Sequence, residues 1–492
     1  MNSKSVESWL NNANAVIYKH RHYIIASYLI LSVIFFSIQF DLLRNWDMLV
    51  RILNSNYLFH NGNYFENQRA LLESFIIGIL SFVFGSYAVF AFIALFTVIF
   101  FISIYVFSKA FNVEYIILLG ILLNPFFLFY AVKNGSELPM YSFLILFISF
   151  VKIKNPLAGL FIAFAFVSKY DSVFFLPLAL FLIDKKLIVS LKRILVFMGI
   201  MLLSLAPFFL YNILLYHDLL FTFFTSISKN SPVLSSAGIS NVNSVYLGFY
   251  ELLCLVPITV MVYLFRGRKS VRLIREKRKE IAILSISSAI ALFLYFFASG
   301  LYVNGLGYYR FFLVVTVSLT LLLSIFTNRK MLLFTVIFFI ISMVVAYHLI
   351  FSQNFSLTQL NNEITATKQL LIQKYGTANC TVQSNNWVYL DYYGISATYI
   401  RGENYSQYPI LSAGKTTGNY TLQNEMNGIY MYTYGISSSK CTFTPVIDLK
   451  YGIKYDINAS RSNSSIGCYY VYGKVHSKFI LSSCIFLVNT FR

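Results

Sequence analysis

The chain has 492 residues, of which 58% are hydrophobic and only 12% charged, with 50 Phe and 37 Tyr. A soluble globular chain carries roughly 25% charged residues, so a surface wetted all round is excluded and lipid is expected to cover much of it. The formal charge of +19 is not read as a nucleic-acid surface, because the basic residues collect in short segments between apolar runs, where they set membrane orientation.

Apolar runs, each near the roughly 20 residues that cross a bilayer, recur from Tyr23 to Phe351. The predicted spans are 23–39, 87–108, 113–131, 138–151, 157–168, 172–183, 194–212, 245–265, 281–303, 311–327 and 331–351. Segments 138–151, 157–168 and 172–183 are short for a crossing and require re-entrant or buried geometry. If all cross, the count is eleven and the termini lie on opposite sides. Basic residues favour one set of connections: Lys4, Lys19 and Arg21; Lys109; Lys152 and Lys154; Lys185, Lys186, Lys192 and Arg193; Arg266 to Lys279; and Arg329 with Lys330. That set is expected in the cytoplasm. The N-terminus is then cytoplasmic, and 40–86, 132–137, 169–171, 213–244, 304–310 and 352–492 face the exterior of a cell membrane. The run Arg266–Lys279 reads as an anchor on anionic lipid. The N-terminal apolar run is long and serves as the first span, without the pattern of a cleavable signal peptide.

Just past the first span, Arg44-Asn45-Trp46-Asp47 opens a predicted amphipathic helix with Trp46, Leu49, Val50, Leu53 and Tyr57 at helical spacing. Such a helix lies on the membrane surface, with Asp47 at its polar end. Asp47 either faces a water-filled cavity above the spans or pairs with Arg51 at i+4. Further on, Lys133-Asn134-Gly135-Ser136-Glu137-Leu138-Pro139 is a turn that delivers Glu137 to the mouth of the next span, where an acid also suits the helix dipole. Ser168-Lys169-Tyr170-Asp171 puts Lys169 at the exterior boundary, within reach of Asp171. Arg310 follows Gly307-Tyr308-Tyr309 and is either a functional cation or an interfacial anchor.

After Phe351 the texture turns to Asn, Ser, Thr, Tyr and Gly. A helix over 355–375 and strands at Thr381–Tyr389, Gly428–Tyr434, Cys468–Tyr472 and Phe479–Val488 predict a small α/β domain. Asn-x-Ser/Thr triplets begin at Asn354, Asn379, Asn404, Asn419, Asn458 and Asn463 in this domain, and at Asn134 in a predicted exterior loop. Their segregation agrees with the orientation drawn from charge. Cys380, Cys441, Cys468 and Cys484 fall on the same side, where disulfides persist, and their three connectivities stay open. Cys254 reads as apolar packing. The fold class is thus a polytopic α-helical membrane protein, with a transmembrane domain over 1–351 and an exterior α/β domain over 352–492.

The order of features also resembles a known family. An acid follows the first span; Asn67-Gln68-Arg69-Ala70 comes next, then Phe84-Gly85-Ser86, the Asn134–Glu137 turn, and Ser168-Lys169-Tyr170-Asp171 with Pro177 after it. Val382-Gln383-Ser384-Asn385-Asn386-Trp387 is similar to a strand and turn of the family's exterior domain. This pattern resembles the GT-C glycosyltransferases, in particular the protein O-mannosyltransferase and lipid A aminoarabinose transferase superfamily. The resemblance implies an inverting glycosyltransferase that moves a sugar from a polyprenyl (dolichyl) phosphate donor to an exterior protein, glycan or lipid acceptor. It implies Asp47 as the base, with Glu137 as a second catalytic acid, and Arg69, Lys169 and Arg310 as cations for the donor phosphate. It also implies the terminal domain as an accessory that orients the acceptor or covers the cavity. The chain departs from the family in having Asp47-Met48 where many O-mannosyltransferases carry Asp-Glu, and in lacking proline from Asn67 to Leu72. The Trp387–Gly394 segment has only a faint likeness, with the wrong spacing, to the Trp-Trp-Asp-Tyr-Gly motif of oligosaccharyltransferases. No Asp-x-Asp or Cys/His spacing calls for a metal; no cofactor is expected, and a divalent cation is neither required nor excluded. The alternative is a non-catalytic membrane protein, such as a lipid-carrier transporter or envelope anchor. A transporter should carry internal repeats and ionisable groups near mid-bilayer, whereas the acids here cluster at one face.

Overall fold

The computed structural model describes residues 3–184, 187–229, 250–266, 269–301, 308–398, 408–412, 420–426, 429–434, 441, 443 and 446–447. The triplets at Asn404, Asn419, Asn458 and Asn463, the cysteines Cys468 and Cys484, and the strands predicted at 468–472 and 479–488 lie outside the described residues.

The chain opens with α1 (Ser3–Lys19) and α2 (Arg21–Leu43), followed by α3 (Trp46–His60). The two-residue strand β1 (Tyr64–Phe65) leads to α4 (Leu72–Phe84), which a single 3-10 turn joins to α5 (Ala88–Phe111). Next come α6 (Tyr115–Leu122), α7 (Pro125–Tyr130), α8 (Glu137–Lys152) and α9 (Ala158–Ser168), then a 3-10 helix over Tyr170–Leu182 and α10 (Leu187–Tyr216). The core centres on α8, where every residue from Glu137 to Ser149 is buried. Ring contacts fix it on three sides: Phe143 meets Phe96 at 6.0 Å and Phe164 at 5.3 Å, while Tyr141 meets Phe127 at 6.0 Å.

Eleven spans are not what the chain forms. Among the described residues, four helices are long and apolar enough to cross a membrane: Arg21–Leu43, Leu72–Phe111, Ile188–Tyr216 and Arg329–Ser352. Several of the other apolar runs form shorter pieces. The predicted span 113–131 breaks at Asn124-Pro125, where the Asn124 side chain accepts from Phe127 N (3.0 Å) and caps α7. The predicted 172–183 is a 3-10 helix containing Pro177, and 138–151 is a 16-residue helix enclosed by protein. Hydropathy alone does not distinguish a helix wrapped in lipid from one wrapped in other helices. Exposure does: Ile188, Leu203 and Leu214 on α10 are among the most exposed large apolar side chains, as a lipid-facing surface requires.

The second apolar run also starts earlier than the predicted 87–108, because α4 already begins it at Leu72. The connection after α2 is therefore much shorter than the predicted loop 40–86, and α3 fills most of it. The expected domain boundary at 351/352 falls inside one helix, Leu332–Tyr375, of 44 residues. At 1.5 Å per residue it is about 66 Å long, roughly twice the hydrocarbon thickness of a bilayer. Its second half is the helix expected over 355–375, and it packs against the terminal sheet.

That mixed sheet has five strands in the order Ala397–Thr398, Val382–Ser384, Ile410–Ser412, Ile429–Tyr434, Tyr420–Met426. Val382–Ser384 runs parallel to both its neighbours, and the last pair is an antiparallel hairpin. The predicted strand Thr381–Tyr389 is strand only over Val382–Ser384. Asn385-Asn386 turns the chain, and Trp387–Tyr392 is a short helix. A second small sheet pairs Tyr64 and Phe65 of β1 with Val446 and Ile447. It ties the terminal domain to the loop after α3.

Candidate functional site

The site is built on the N-terminal half of α3. Asn45 caps the helix by accepting from Asp47 N (3.2 Å), which fixes Asp47 in the first turn. The helix does not lie on a surface as its amphipathic pattern predicts, because all eight residues from Met48 to Ser55 are buried. Its polar face is occupied by protein. Arg51 donates from Nε to Asn134 O (3.1 Å) and from Nη1 to Ala70 O (3.0 Å), and forms an ion pair with Glu73 at 2.6 Å. Asn54 exchanges two hydrogen bonds with the main chain of Glu66, at 2.9 and 2.8 Å. Arg51 therefore pairs with Glu73 and not with Asp47, contrary to the i+4 alternative. One exposed helical ion pair is worth about 0.2–0.5 kcal/mol, which cannot compete with three buried bonds.

Asp47 Oδ1 instead pairs with Arg69 Nη1 at 2.7 Å. Arg69 Nε reaches Glu66 Oε2 at 3.2 Å. Glu66 also accepts from the Tyr64 hydroxyl (2.5 Å) and from the Gln68 amide. Trp387 of the terminal domain donates its indole N–H to the Tyr64 oxygen (3.1 Å). Burial, and then the adjacent Glu66 charge, push the Tyr64 hydroxyl well above its usual pKa, so Tyr64 is a fixed donor.

The second cluster sits on the turn before α8. Glu137 accepts from Asn134 Nδ2 (3.1 Å) and Ser136 Oγ (3.3 Å), and pairs with Lys169 Nζ at 3.3 Å. Lys169 also lies 4.0 Å from Asp171. Gly135 has φ +80°, and a Cβ there would stand 2.7 Å from both Arg51 Cδ and Met48 Sδ. Only glycine lets this turn press onto α3. Arg51 thus binds the loop carrying Arg69 and the turn carrying Glu137 to one helix.

Exposure separates the members of the two clusters. The side chains of Glu66, Glu73 and Glu137 are 3%, 0% and 1% exposed, whereas Asp47, Lys169 and Arg69 are 13%, 17% and 20% exposed. Asp171, beside Lys169, is 42% exposed, so the exposed set is two carboxylates, Asp47 and Asp171, with two cations. Arg310 lies in the first turn of helix Tyr308–Ser324, but its side chain is outside the described residues.

The terminal domain closes against this set. Trp46 stands edge-on to Trp387 and Tyr389, with centroids at 4.4 and 5.4 Å. The Tyr389 hydroxyl is hydrogen-bonded to the Trp46 main chain, and its pKa is raised by burial and then by the Asp47 charge. Arg44 donates to Tyr393 OH (3.2 Å) and pairs with Asp41 (3.0 Å). Asp391, buried and near Glu66, has its carboxyl pushed well above the carboxylate range, although Ala397 N donates to it.

Cys380 and Cys441 form a disulfide; Cys468 and Cys484 lie outside the described residues. Cys254 is a buried free thiol. Asn379 is exposed, and Asn354 lies on the helix Leu332–Tyr375. Asn134 is buried and donates to Glu137, so its triplet is closed to modification in the folded chain. Among the described residues, no group of three or more His, Cys, Asp or Glu is placed to hold a metal ion.

Sequence reasoning singled out Asp47, Glu137, Arg69 and Lys169, named Arg51 only as a partner for Asp47, and gave Glu66 and Glu73 no role. The available signal was chemical. Glu73 opens an apolar helix and Glu66 precedes two carboxamides and an arginine, and charges in such surroundings need partners. No protein-family model, curated protein or solved structure matches the chain.

Proposed function

We propose that this chain is a membrane glycosyltransferase that takes a sugar from a polyprenyl-phosphate donor and passes it, with inversion, to a hydroxyl or amine of an exterior acceptor. The observation that carries the reading is the partly exposed set of Asp47, Arg69 and Lys169 beside the buried, paired Glu66, Glu73 and Glu137. Asp47 accepts the acceptor's proton as its heteroatom attacks the anomeric carbon. The bond from that carbon to the phosphate oxygen breaks, and the lipid phosphate leaves as an anion that needs no proton. Arg69 and Lys169 are the cations for that anion. Glu137 holds Lys169 in position, and Arg69 orients Asp47.

One observation favours the alternative of a non-catalytic carrier or anchor: both cations already hold a carboxylate partner. Transfer by the purified chain from polyprenyl-phosphate mannose, glucose and arabinose to peptide, glycan and lipid acceptors separates the two. Wild type should transfer one of these sugars, with Asp47→Asn reduced at least 100-fold. Equal rates would remove Asp47 as the base, and no transfer from any donor would favour the carrier.

A further inference from the structure

The segment Glu66-Asn67-Gln68-Arg69 carries more hydrogen-bonding capacity than the fold uses. Asn67 is completely buried, yet among the described residues neither its carboxamide oxygen nor its nitrogen has a partner. Gln68, also buried, gives its nitrogen to Glu66 and leaves its oxygen unpaired. Two further buried hydroxyls, Ser55 next to Asn54 on α3 and Ser74 next to Glu73 on α4, are likewise without partners among the described residues.

Buried polar atoms are nearly always paired, because each carries its full desolvation penalty when it is not. A leucine has the branched skeleton of asparagine without that penalty, so the fold alone gives no reason for a carboxamide at position 67. The ends of the segment are Glu66 and Arg69, the two residues joined to each other and, through Arg69, to Asp47. The unused donors and acceptors are therefore one and two residues along the chain from the ion pair that faces the reacting atoms.

We propose that Asn67 and Gln68 form the element that recognises the hydroxyls of the donor's sugar ring. This rests on the glycosyltransferase reading and adds the source of sugar selectivity to it. A carboxamide offers one acceptor and one donor side by side, which suits two neighbouring ring hydroxyls. It gives a lipid phosphate little that Arg69 and Lys169 do not already supply. A site whose buried polar groups wait for hydroxyls also rejects a ligand lacking them, because those groups then stay unpaired.

The test is binding by the full chain in lipid nanodiscs. The probes are polyprenyl-phosphate mannose, glucose and arabinose, together with bare polyprenyl phosphate. Wild type should prefer one sugar-bearing lipid over the bare lipid. Asn67→Leu should reduce that preference about tenfold, the worth of one neutral hydrogen bond, and leave affinity for bare polyprenyl phosphate within about twofold. It should also melt no lower than wild type, since no internal bond is lost. Asn67→Ala provides the same reading if leucine does not fit. Retained preference with a lowered melting temperature would show that the fold uses Asn67, through a bridging water, and would overturn the inference while leaving the enzyme reading intact. Equal loss of both lipid classes would also overturn it. A wild type that binds none of the four probes would defeat the enzyme reading and this inference together.

Discussion

Replacing Arg51 by methionine removes three bonds at once, to Asn134 O, Ala70 O and the Glu73 carboxylate. Glu73 is completely buried, so its charge would be left without a counterion. Breaking a buried ion pair from one side costs about 3–5 kcal/mol. Adding Glu73→Leu removes the stranded charge, and the double variant should recover about 1–3 kcal/mol of that loss. What remains is the desolvation of two main-chain carbonyls, about 2 kcal/mol in total. The expected coupling between the two sites is above about 1 kcal/mol. Denaturant titration in mixed micelles measures it by tryptophan fluorescence, because Trp46 and Trp387 meet edge-on at the start of α3. The reasoning is refuted if Arg51→Met lies within 1 kcal/mol of wild type, taken here as about the error of the comparison, or if the double variant is no more stable than the single one.

Three further outcomes follow from the terminal domain. Trp387→Ala removes a ring packed on Trp46 and the donor to Tyr64; it should cost about 3–5 kcal/mol and expose the domain to limited proteolysis, and unchanged resistance would contradict the docking. Cys380 and Cys441 close a loop with a sequence separation of 61; replacing both with serine should cost up to about 4 kcal/mol by the chain-entropy relation, and reductant should lower the melting of the variant less than that of wild type. The third concerns Asp391, whose folded pKa is raised, first by burial, above that of an unfolded aspartate. The folded state therefore holds a proton that the unfolded state releases near pH 3.9 or so, and stability falls as pH rises from about 4 through the folded value. Asp391→Asn keeps an oxygen for Ala397 N and should flatten that decline; parallel pH–stability profiles for variant and wild type would show Asp391 ionised in the fold.

The membrane character and the helix–sheet division were legible because they depend on composition and period. The span count was not. α8 has the hydropathy of a membrane helix, but Phe96, Phe127 and Phe164 surround it rather than lipid, and no property of its own residues reveals that. Asp47 and Arg69 were both chosen from sequence, but their pairing depends on the chain returning along α3, which Asn54 enforces by binding the Glu66 main chain. Arg51 was matched to Asp47 because i+4 spacing is visible, while carbonyls at Ala70 and Asn134 are not. The strand predicted through Tyr389 failed for a readable reason: Asn385-Asn386 is a turn signal, and the helix carrying Trp387 starts after it.

That helix changes the weight given to the terminal domain. Read from sequence, the domain is an accessory over a self-sufficient membrane site. In the structure Trp387 holds Tyr64, Tyr64 holds Glu66, Glu66 holds Arg69, and Arg69 holds Asp47. Each link in this relay is a buried or half-buried bond, and removing one leaves the next group with a desolvated charge or hydroxyl to satisfy. The acid expected to act as base is therefore oriented through the domain that covers it. Glu137 has both carboxylate oxygens taken, by Asn134, Ser136 and Lys169; it serves as the anchor of Lys169. If so, Glu137→Gln should weaken binding of bare polyprenyl phosphate while preserving the response to sugar, whereas Trp387→Phe should leave lipid binding intact and slow transfer. The opposite assignment of effects would make Glu137 the acid at the reacting centre and return the terminal domain to a covering role.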